Sequence, residues 1–304
     1  MEKNQLVFLE SSLGELIAQA NKIRREFIGR KLELCSILNA KSGSCSEDCK
    51  FCAQSHKYKL NTPVYPLKTK QEIVAAAVRA KAIGAQKFGI VTSGNRLTPR
   101  ELDIIVSAIV EIKNTLDISI CGSLGALTRA DLEKLKQAGL TRYHHNLETS
   151  RNFYPQIVSS HSFEERVATV KAAKEAGLEV CSGGIIGMGE TWQDRLDLAY
   201  LLRELNVDSV PINFLIPIKG TPLGNLQPIN YEDALRALCI FRIILKDKVV
   251  KIAAGRETVL KDCQAQGFMA GANGMIIGGY LTVQGQELSQ EYKLIDEIKK
   301  LWQE

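Results

Sequence analysis

The feature that most constrains the fold is a repeated alternation of short apolar segments with longer segments of helical periodicity. From about residue 32 onward, eight such pairs follow one another, each roughly 35 residues long. This alternation predicts parallel strands joined by helices, because parallel neighbours need a long crossover connection. Eight units predict an α/β fold of the (β/α)8 TIM-barrel type, with a doubly wound open sheet as the alternative. No Gly-x-Gly-x-x-Gly motif follows the first strand, which favours the barrel.

The predicted elements follow from apolar periodicity and from capping residues. Residues 13–27 have apolar positions at helical spacing and predict a helix that precedes the barrel. The predicted strands are 32–38, 87–92, 118–122, 142–146, 178–185, 209–216, 251–254 and 274–278. The predicted helices are 70–83, one that begins at Thr98, 128–138, 162–176, 191–205, 231–245 and 257–266. No linker interrupts this pattern, so we expect one domain over residues 1–304, with a helical extension at about 1–30.

Three cysteines lie within eight residues, at Cys45, Cys49 and Cys52. Thiolates this close in sequence suit a metal centre, because soft sulfur ligands on a short loop can converge on one point. A closed zinc or ferredoxin-type site takes four protein ligands, whereas this loop offers three. A metal bound by only three ligands would keep one coordination position for a small molecule. The alternative is a zinc site completed by His56.

Further sulfur-containing and charged residues fall on the predicted strands. Cys35, Cys121 and Cys181 lie in strands one, three and five, and Arg256 follows strand seven. Alternate strands supply common layers of a barrel interior, so we expect the three thiols and the guanidinium to converge. A buried arginine requires an anionic partner, which an iron–sulfur cluster would provide.

A second polar group is predicted at the carboxyl ends of the strands, where barrel enzymes carry their chemistry. Asn146 and Glu148 follow strand four, and an amide beside a carboxylate suits the hydroxyl groups of a ribose. Asn213 lies within an apolar strand, so its amide must find hydrogen-bonding partners in the interior. The glycine-rich segment 182–190 follows strand five and would let a ligand approach the backbone closely.

Composition restricts the partners and the compartment. The net charge of +5 is spread along the chain, and no basic run is longer than residues 22–25. A nucleic-acid partner is therefore not expected, whereas a site for small anions is compatible with this charge. No apolar segment reaches the roughly 18 residues of a membrane span, and the N-terminus lacks the apolar core of a signal peptide. We expect a cytoplasmic protein, without a membrane partner, in which clustered cysteines are reduced and bind metal.

The Cys45-x3-Cys49-x2-Cys52 spacing, with Phe51 before the third cysteine, resembles the signature of the radical S-adenosylmethionine superfamily. The similarity extends over most of the chain and points to the biotin synthase family. The segments that carry it are 45–54, 143–150, 180–190, 209–215, 220–223, 254–257 and 268–273. The signature alone indicates the superfamily, whereas the combined segments indicate the family.

This resemblance implies a sulfurtransferase with a (β/α)8 barrel, usually a homodimer. Cys45, Cys49 and Cys52 would bind a [4Fe-4S] cluster, whose open iron binds S-adenosylmethionine. Electrons from a donor such as flavodoxin or ferredoxin would drive cleavage of S-adenosylmethionine to a radical. The radical would remove hydrogen from dethiobiotin, and insertion of sulfur would then give biotin.

The resemblance also implies roles for four residues near the barrel mouth. By motif position, Asn146 and Glu148 would bind the adenosyl ribose, and Arg166 would bind the methionyl carboxylate. Asn146 and Asn213 would hold dethiobiotin. The family typically has the shorter aspartate where this chain has Glu148.

The auxiliary site departs from the family pattern. Well-known members hold a [2Fe-2S] cluster, the proposed sulfur donor, with an arginine and with cysteines from strands two, three and five. Cys121, Cys181 and Arg256 match three of these positions, but the strand-two position is Gly89, which has no side chain to bind iron. We expect Cys35, in the neighbouring strand one, to replace the missing thiol. The small size of Gly89 would also leave room for a larger, four-iron cluster.

Two other functions are compatible with parts of the pattern. A related radical enzyme, such as a hydrogenase-cofactor maturase or an amino-acid mutase, would share the first cluster. Such enzymes generally lack the combination of Cys121, Cys181 and Arg256. A zinc-stabilised binding protein would use the first three cysteines and His56, and would be colourless, whereas the radical enzyme would be brown and oxygen-sensitive.

Overall fold

The computed structural model describes residues 8–282 and 285–303. Its strands are β1 (Glu33–Lys41), β2 (Lys87–Thr92), β3 (Ser119–Ser123), β4 (Arg142–His144), β5 (Glu179–Cys181), β6 (Gly184–Ile186), β7 (Ser209–Phe214), β8 (Val249–Ile252) and β9 (Gly274–Ile276). All neighbours are parallel, in the order β5-β4-β3-β2-β1-β9-β8-β7-β6, and β5 also pairs with β7. Because β5 and β6 both lie beside β7, they share one position, and the sheet closes into a barrel of eight positions. The (β/α)8 prediction is confirmed.

Helices connect the strands and pack around the barrel. They are α1 (Leu13–Phe27), α2 (Lys70–Ala82), α3 (Pro99–Thr115), α4 (Arg129–Ala138), α5 (Tyr154–Ile157), α6 (Phe163–Glu175), α7 (Trp192–Glu204), α8 (Tyr231–Leu245), α9 (Arg256–Val259), α10 (Gln264–Met269) and α11 (Leu288–Leu301). Six of these described helices begin with a capping box, including the helix predicted to begin at Thr98. None of the described helices is long and apolar enough to cross a bilayer.

Two predicted elements are interrupted. The predicted strand 178–185 is divided into β5 and β6, and Gly183 lies at the break. A Cβ atom on Gly183 would lie 1.9 Å from the carbonyl oxygen of Pro211 in β7, so the backbones approach too closely for a side chain. The predicted helix 257–266 is divided into α9, a 3₁₀ turn and α10, and Lys261 between the α-helices has a left-handed φ of 47°.

The C-terminal helix α11 is absent from the sequence predictions. Leu294, Ile295 and Ile298 recur at helical spacing in this segment and are buried. The helix packs on α10, and it also carries a buried carboxylate, Glu291, to the outside of the barrel wall.

The strand register places Cys35 and Gly89 at different heights along the barrel axis. Gly89 pairs with Ile37 on β1 and with Cys121 on β3, whereas Cys35 pairs with Lys87. Side chains alternate along a strand, so positions 35 and 37 face the same side. Cys35 therefore lies one inward-facing position closer to the amino ends of the strands than Gly89.

Candidate active site

An interior cavity of about 380 Å³ extends along the barrel to the carboxyl ends of the strands. Three thiols and three cationic side chains line its deep end, namely Cys35, Cys121, Cys181, Lys87, Arg142 and Lys251. Polar and aromatic residues line the part nearer the mouth, among them Phe51, Asn146, Glu148, Asn213 and Tyr280. The structure thus brings together the thiols predicted on strands one, three and five, with the predicted amides and carboxylate above them.

The ammonium group of Lys251 lies against the thiol of Cys35. Its Nζ atom is 2.8 Å from Cys35 Sγ and 3.1 Å from Oε1 of Glu33. Burial alone would lower the pKa of Lys251, but Cys35, Cys181 and Glu33 together raise it above its ordinary value. The buried lysine is therefore charged and faces the thiols, where an anionic group would complete its neutralisation.

Arg142 on β4 supplies a second buried cation. Its Nη1 and Nη2 donate to the two carboxylate oxygens of Glu33 at 2.7 and 3.1 Å, and its Nε donates to Glu179 at 2.9 Å. The Nζ atom of Lys87 lies 3.4 Å from the same Glu179 carboxylate. Burial alone would raise the pKa of Glu33, but Lys251 and Arg142 lower it to about 2. Ionised carboxylates thus hold the cations in place at the deep end of the cavity.

Among the three thiols that line the cavity, Cys181 is the one whose pKa is lowered. Burial would raise its pKa, but the neighbouring His144 and Lys251 help to lower it to about 6. Burial raises the pKa of Cys121 to about 12, and Cys35 contributes to that shift. The thiols are therefore close enough to influence one another. Soft sulfur donors surrounded by cations fit an anionic iron–sulfur cluster.

Arg256 does not line this cavity, so the prediction that its guanidinium converges with the thiols in the barrel interior is wrong. It opens α9 directly after β8, and its fully buried guanidinium points to the C-terminal helix. Nη2 lies 3.1 Å from Glu291, Nε donates to Gln264 at 3.0 Å, and Nη1 donates to the carbonyl of Ile276 at 2.8 Å. The anionic partner of Arg256 is thus Glu291, while the cation beside the thiols is Lys251, five residues earlier.

Gly89 lines the cavity, but the space beside it is not fully open. A Cβ atom on Gly89 would lie 3.1 Å from Cγ2 of Ile37. The isoleucine of the neighbouring strand therefore occupies part of the room that the missing side chain was expected to leave.

The loop with Cys45, Cys49 and Cys52 follows β1 and is held by its own backbone. The Cys45 N–H donates to the carbonyl of Gln54 at 3.1 Å, and the Cys52 N–H donates to the carbonyl of Cys49 at 2.9 Å. Burial raises the pKa of Cys49 and of Cys52, and Cys45 adds to both shifts. The three thiols are therefore neighbours in space, as the spacing predicts.

His56 does not complete a four-ligand zinc site with the three cysteines. Within residues 8–282 and 285–303, no three Cys, His, Asp or Glu side chains are close enough to bind one metal ion. The Nδ1 atom of His56 lies 2.7 Å from the carbonyl oxygen of Cys45, so this ring bonds to backbone. The loop therefore offers three thiols and no imidazole, which is the ligand number of a cluster that keeps one open iron.

Two acidic residues fasten the cysteine loop to the segment that precedes α6. The carboxylate of Asp48 accepts hydrogen bonds from the Ser159 N–H at 2.9 Å, the Ser160 N–H at 3.0 Å and the Ser159 hydroxyl. Glu47 lies 2.7 Å from Nδ1 of His161. Burial would raise the pKa of Asp48, but these hydrogen bonds hold it well below its ordinary value. The loop is thereby held in position by side chains outside the thiol group.

Arg166 on α6 connects this region to the cavity mouth. Its Nε donates to the Tyr154 hydroxyl at 2.8 Å, and its Nη1 donates to the carbonyl of Asn146 at 2.8 Å and lies 3.8 Å from Glu148. Burial raises the pKa of Cys49, while Arg166 opposes that shift and Glu148 adds to it. These side chains are therefore beside the cysteine triad. Glu148 also has a left-handed φ of 69°, and such backbone strain is common at functional sites.

The two predicted amides are fixed by the barrel backbone. Oδ1 of Asn146 accepts a hydrogen bond from the Gly183 N–H at 3.0 Å. The Nδ2 atom of Asn213 donates to the carbonyl of Gly184 at 3.2 Å, and its Oδ1 accepts from the Ala254 N–H at 3.1 Å. Each amide lines the cavity in one orientation, which suits recognition of a small polar ligand.

The sequence predictions do not include five polar residues of the deep site, which are Glu33, Lys87, Arg142, His144 and Lys251. Each of them lies within a strand. The sequence could have indicated them, because a charged or imidazole side chain at an inward-facing position of a short barrel strand is buried and must have a partner.

A closed (β/α)8 barrel with a three-cysteine loop at its mouth defines a radical S-adenosylmethionine protein, and residues 41–202 match the family model described as "Radical SAM superfamily". Residues 211–299 match the "Biotin and Thiamin Synthesis associated domain". The chain is 49% identical to the biotin synthase of Thermotoga petrophila over 302 residues, which is 99% of both chains. It is 53% identical to that of Thermotoga neapolitana, over 89% of this chain and 97% of the relative. The chain belongs to the biotin synthase family.

Solved structures of low sequence identity share the fold. A methylornithine synthase has a TM-score of 0.83 and 19% identity, with 98% of this chain and 92% of that chain covered. The FeFe-hydrogenase maturase HydG from Carboxydothermus hydrogenoformans has a TM-score of 0.82 and 18% identity, with 96% and 73% covered. Membership of the superfamily implies a [4Fe-4S] cluster and S-adenosylmethionine, and membership of the family implies an auxiliary cluster.

Proposed function

We propose that this chain is a biotin synthase, a sulfurtransferase that inserts sulfur into dethiobiotin to form biotin. The observation that carries the proposal is the cavity of about 380 Å³, which has thiols at its deep end and opens beside the cysteine triad. A radical generated at the mouth and sulfur held below it would then act on one enclosed substrate. The sequence identity of 49% and 53% to two named biotin synthases, over 99% and 89% of this chain, supports this choice of substrate.

Two groups of cysteines would hold two clusters. The proposed ligands of the [4Fe-4S] cluster are Cys45, Cys49 and Cys52, and those of the auxiliary cluster are Cys35, Cys121 and Cys181. When bound, the clusters and S-adenosylmethionine supply the radical chemistry and the sulfur. The protein positions them and shields the cavity from water. The auxiliary cluster would be a [2Fe-2S] cluster or a larger four-iron cluster.

The charged residues at the deep end would compensate the negative charge of the auxiliary cluster. Lys251 and Arg142 are the buried cations nearest the thiols, and Glu33 orients both of them. They take the place that Arg256 was expected to fill. A fixed positive charge in a buried site stabilises an anionic group more strongly than it would in water.

The residues at the mouth would bind S-adenosylmethionine and dethiobiotin. Nδ2 of Asn146 lies 3.3 Å from Oε2 of Glu148, and these two side chains would bind the ribose hydroxyls. The charged Arg166 beside them would bind the methionyl carboxylate. Asn146 and Asn213 would bind dethiobiotin through their amides. One N–H of Asn213 Nδ2 is used by the Gly184 carbonyl, and the other can donate to the substrate.

We also propose the organisation in which this activity occurs. A single domain is supported because the segment matched by the first family model holds β2–β6, the segment matched by the second holds β8 and β9, and all of these strands belong to one closed sheet. A homodimer, a cytoplasmic location and an electron donor such as flavodoxin or ferredoxin are proposed from the family resemblance. No nucleic-acid partner is proposed.

The proposal is tested by anaerobic reconstitution with iron and sulfide, followed by incubation with S-adenosylmethionine, reductant and dethiobiotin. We expect both 5′-deoxyadenosine and biotin. Formation of 5′-deoxyadenosine without biotin would contradict the substrate assignment and would favour another radical enzyme, such as a maturase or a mutase. A colourless protein with one bound zinc would contradict both the biotin synthase assignment and the assignment to any radical enzyme.

The auxiliary site is tested separately by Cys35→Ala. We expect this variant to lose the auxiliary cluster while it keeps the [4Fe-4S] cluster, as measured by iron and sulfide content and by electron paramagnetic resonance. Cys263→Ala is the matched control, because Cys263 is exposed and outside the cavity. Full iron and sulfide content in Cys35→Ala would contradict the proposed role of Cys35.

A further inference from the structure

Two loops beside the cysteine triad form a basic surface. Residues 50–60 and 217–227 contain no Asp or Glu, and together they carry four exposed lysines, Lys50, Lys57, Lys59 and Lys219. We call these four residues the lysine patch. None of the four has an ion-pair partner within residues 8–282 and 285–303, whereas lysines such as Lys41 are paired with carboxylates. The patch is thus a group of lysines without ion pairs in the described part of the chain, and the two acidic residues that precede it in the loop, Glu47 and Asp48, are hydrogen-bonded to His161 and to Ser159 and Ser160 instead.

The two loops contact each other directly. The Leu223 N–H donates to the carbonyl of Lys50 at 3.3 Å. Leu60 packs so closely on Gly220 that a Cβ atom on the glycine would lie 2.6 Å from Leu60 Cδ2. Lys59 and Lys219 are the chain neighbours of these two contacting residues, so the backbone segments that carry the two exposed lysines are adjacent.

The lysine patch is also fixed to the loop that carries the triad. Lys50 lies between two of the three cysteines in sequence. The Lys57 N–H donates to the Ser55 hydroxyl at 3.3 Å, and that hydroxyl in turn donates to the carbonyl of Glu47. Cys45 and Cys52 are partly exposed within this loop. A cluster bound by these cysteines would therefore be held by the same loop that carries Lys50 and Lys57.

We propose that the lysine patch is the docking surface for a small acidic one-electron carrier protein of the ferredoxin type. This inference rests on the proposed function, because that function needs an electron from outside the chain. The carrier loses one electron and the bound cluster gains it, so no other reactant is required. Attraction between opposite surfaces would raise the association rate by about 10- to 1000-fold at low ionic strength.

An apolar contact accompanies the charges. Leu226 belongs to the second loop and is 37% exposed. Its N–H donates to the carbonyl of Leu223, the residue that contacts Lys50. Transient protein interfaces combine an apolar centre with a charged rim, and Leu226 beside the lysine patch has this arrangement.

The test uses the reconstituted holoenzyme with Lys57→Glu, Lys59→Glu and Lys219→Glu combined. Lys50 is left unchanged because it lies between cluster ligands. The control combines Lys293→Glu, Lys299→Glu and Lys300→Glu, three exposed lysines of α11 that also lack ion-pair partners among the described residues. Both variants change the net charge equally. The rate of cluster reduction by a reduced, strongly acidic bacterial ferredoxin is followed by stopped-flow absorbance.

We expect the patch variant to be reduced by ferredoxin at least about tenfold more slowly than the wild type at low ionic strength. The difference should largely disappear at about 0.5 M salt, because screening then acts over a few ångströms. The control should change less than about twofold, and reduction by dithionite should be the same in all three proteins. This combination of results would support docking at the patch.

Two results would overturn the proposal. Equal slowing in the patch variant and the control would show that only net charge matters. Slower reduction by dithionite in the patch variant would show damage to the cluster site instead of lost docking. Failure of the wild type to form biotin with dithionite would reject the proposed function, while the stopped-flow comparison would still decide the docking surface.

Discussion

Replacement of Asp48 by alanine removes the fastening of the cysteine loop without touching a thiol. The carboxylate accepts three hydrogen bonds from Ser159 and Ser160, two of them from backbone N–H groups at 2.9 and 3.0 Å. A hydrogen bond to a charged group contributes about 1.5–3 kcal/mol, but water replaces part of this at a half-exposed side chain. We therefore expect the closed conformation of the loop to be destabilised by about 2–3 kcal/mol relative to the open one, which is a decrease of roughly 30- to 150-fold in the equilibrium constant for loop closure.

The assay measures how fast an iron chelator removes the [4Fe-4S] cluster from anaerobic protein. Asp48→Ala should lose its cluster tens of times faster than the wild type, because removal requires an open loop. Asp48→Asn keeps one carbonyl oxygen for the backbone donors, so its rate of cluster loss should lie between those of Asp48→Ala and the wild type. Asp296→Ala is the control, since Asp296 is exposed on α11 and has no ion-pair or hydrogen-bond partner among the described contacts.

Equal rates of cluster loss in Asp48→Ala and in the wild type would refute this reasoning. A lower thermal stability of the whole chain with an unchanged rate would have the same meaning. In either case, the thiols would hold the cluster without help from the contacts of Asp48.

Three further changes test the barrel interior and its outer supports. Lys251→Met removes the ammonium group 2.8 Å from Cys35 Sγ, and we expect the reduction potential of the auxiliary cluster to fall by on the order of 100 mV in a spectroscopic titration. Lys251→Arg should restore the potential, because it keeps the positive charge. An unchanged potential in Lys251→Met would contradict the role of that charge. Burial raises the pKa of Glu291, so the wild type should lose stability relative to Glu291→Gln as pH rises above about 4.5. The loss is up to about 1.4 kcal/mol per pH unit until the raised pKa is passed, and a pH-independent difference in Tm would contradict it. Gly183→Ala places a Cβ 1.9 Å from the Pro211 carbonyl oxygen and should cost about 3 kcal/mol or more, whereas Gly14→Ala, with open space around it, should not; equal Tm values would disprove the close approach.

The sequence by itself was sufficient for the architecture and for finding the cysteine triad that we propose as the first cluster site. Apolar periodicity is local, so most strand and helix positions are predicted within a few residues, and β2 has the predicted bounds 87–92. The spacing of Cys45, Cys49 and Cys52 is also local, because one loop delivers all three thiols. Features that depend on neighbouring residues along the chain can be recognised without a structure.

Only the tertiary structure decided which charges face the thiols at the deep end of the cavity. Lys251 and Arg256 are five residues apart, and the sequence favours the arginine because of its family-like segment. In the structure β8 extends through Lys251, while Gly255 turns the chain with a φ of 87° and sends Arg256 to Glu291 on α11. The direction of a side chain at a strand end depends on register, on the following turn and on a partner 35 residues away. None of these is determined by local periodicity, and they set the charge around Cys35.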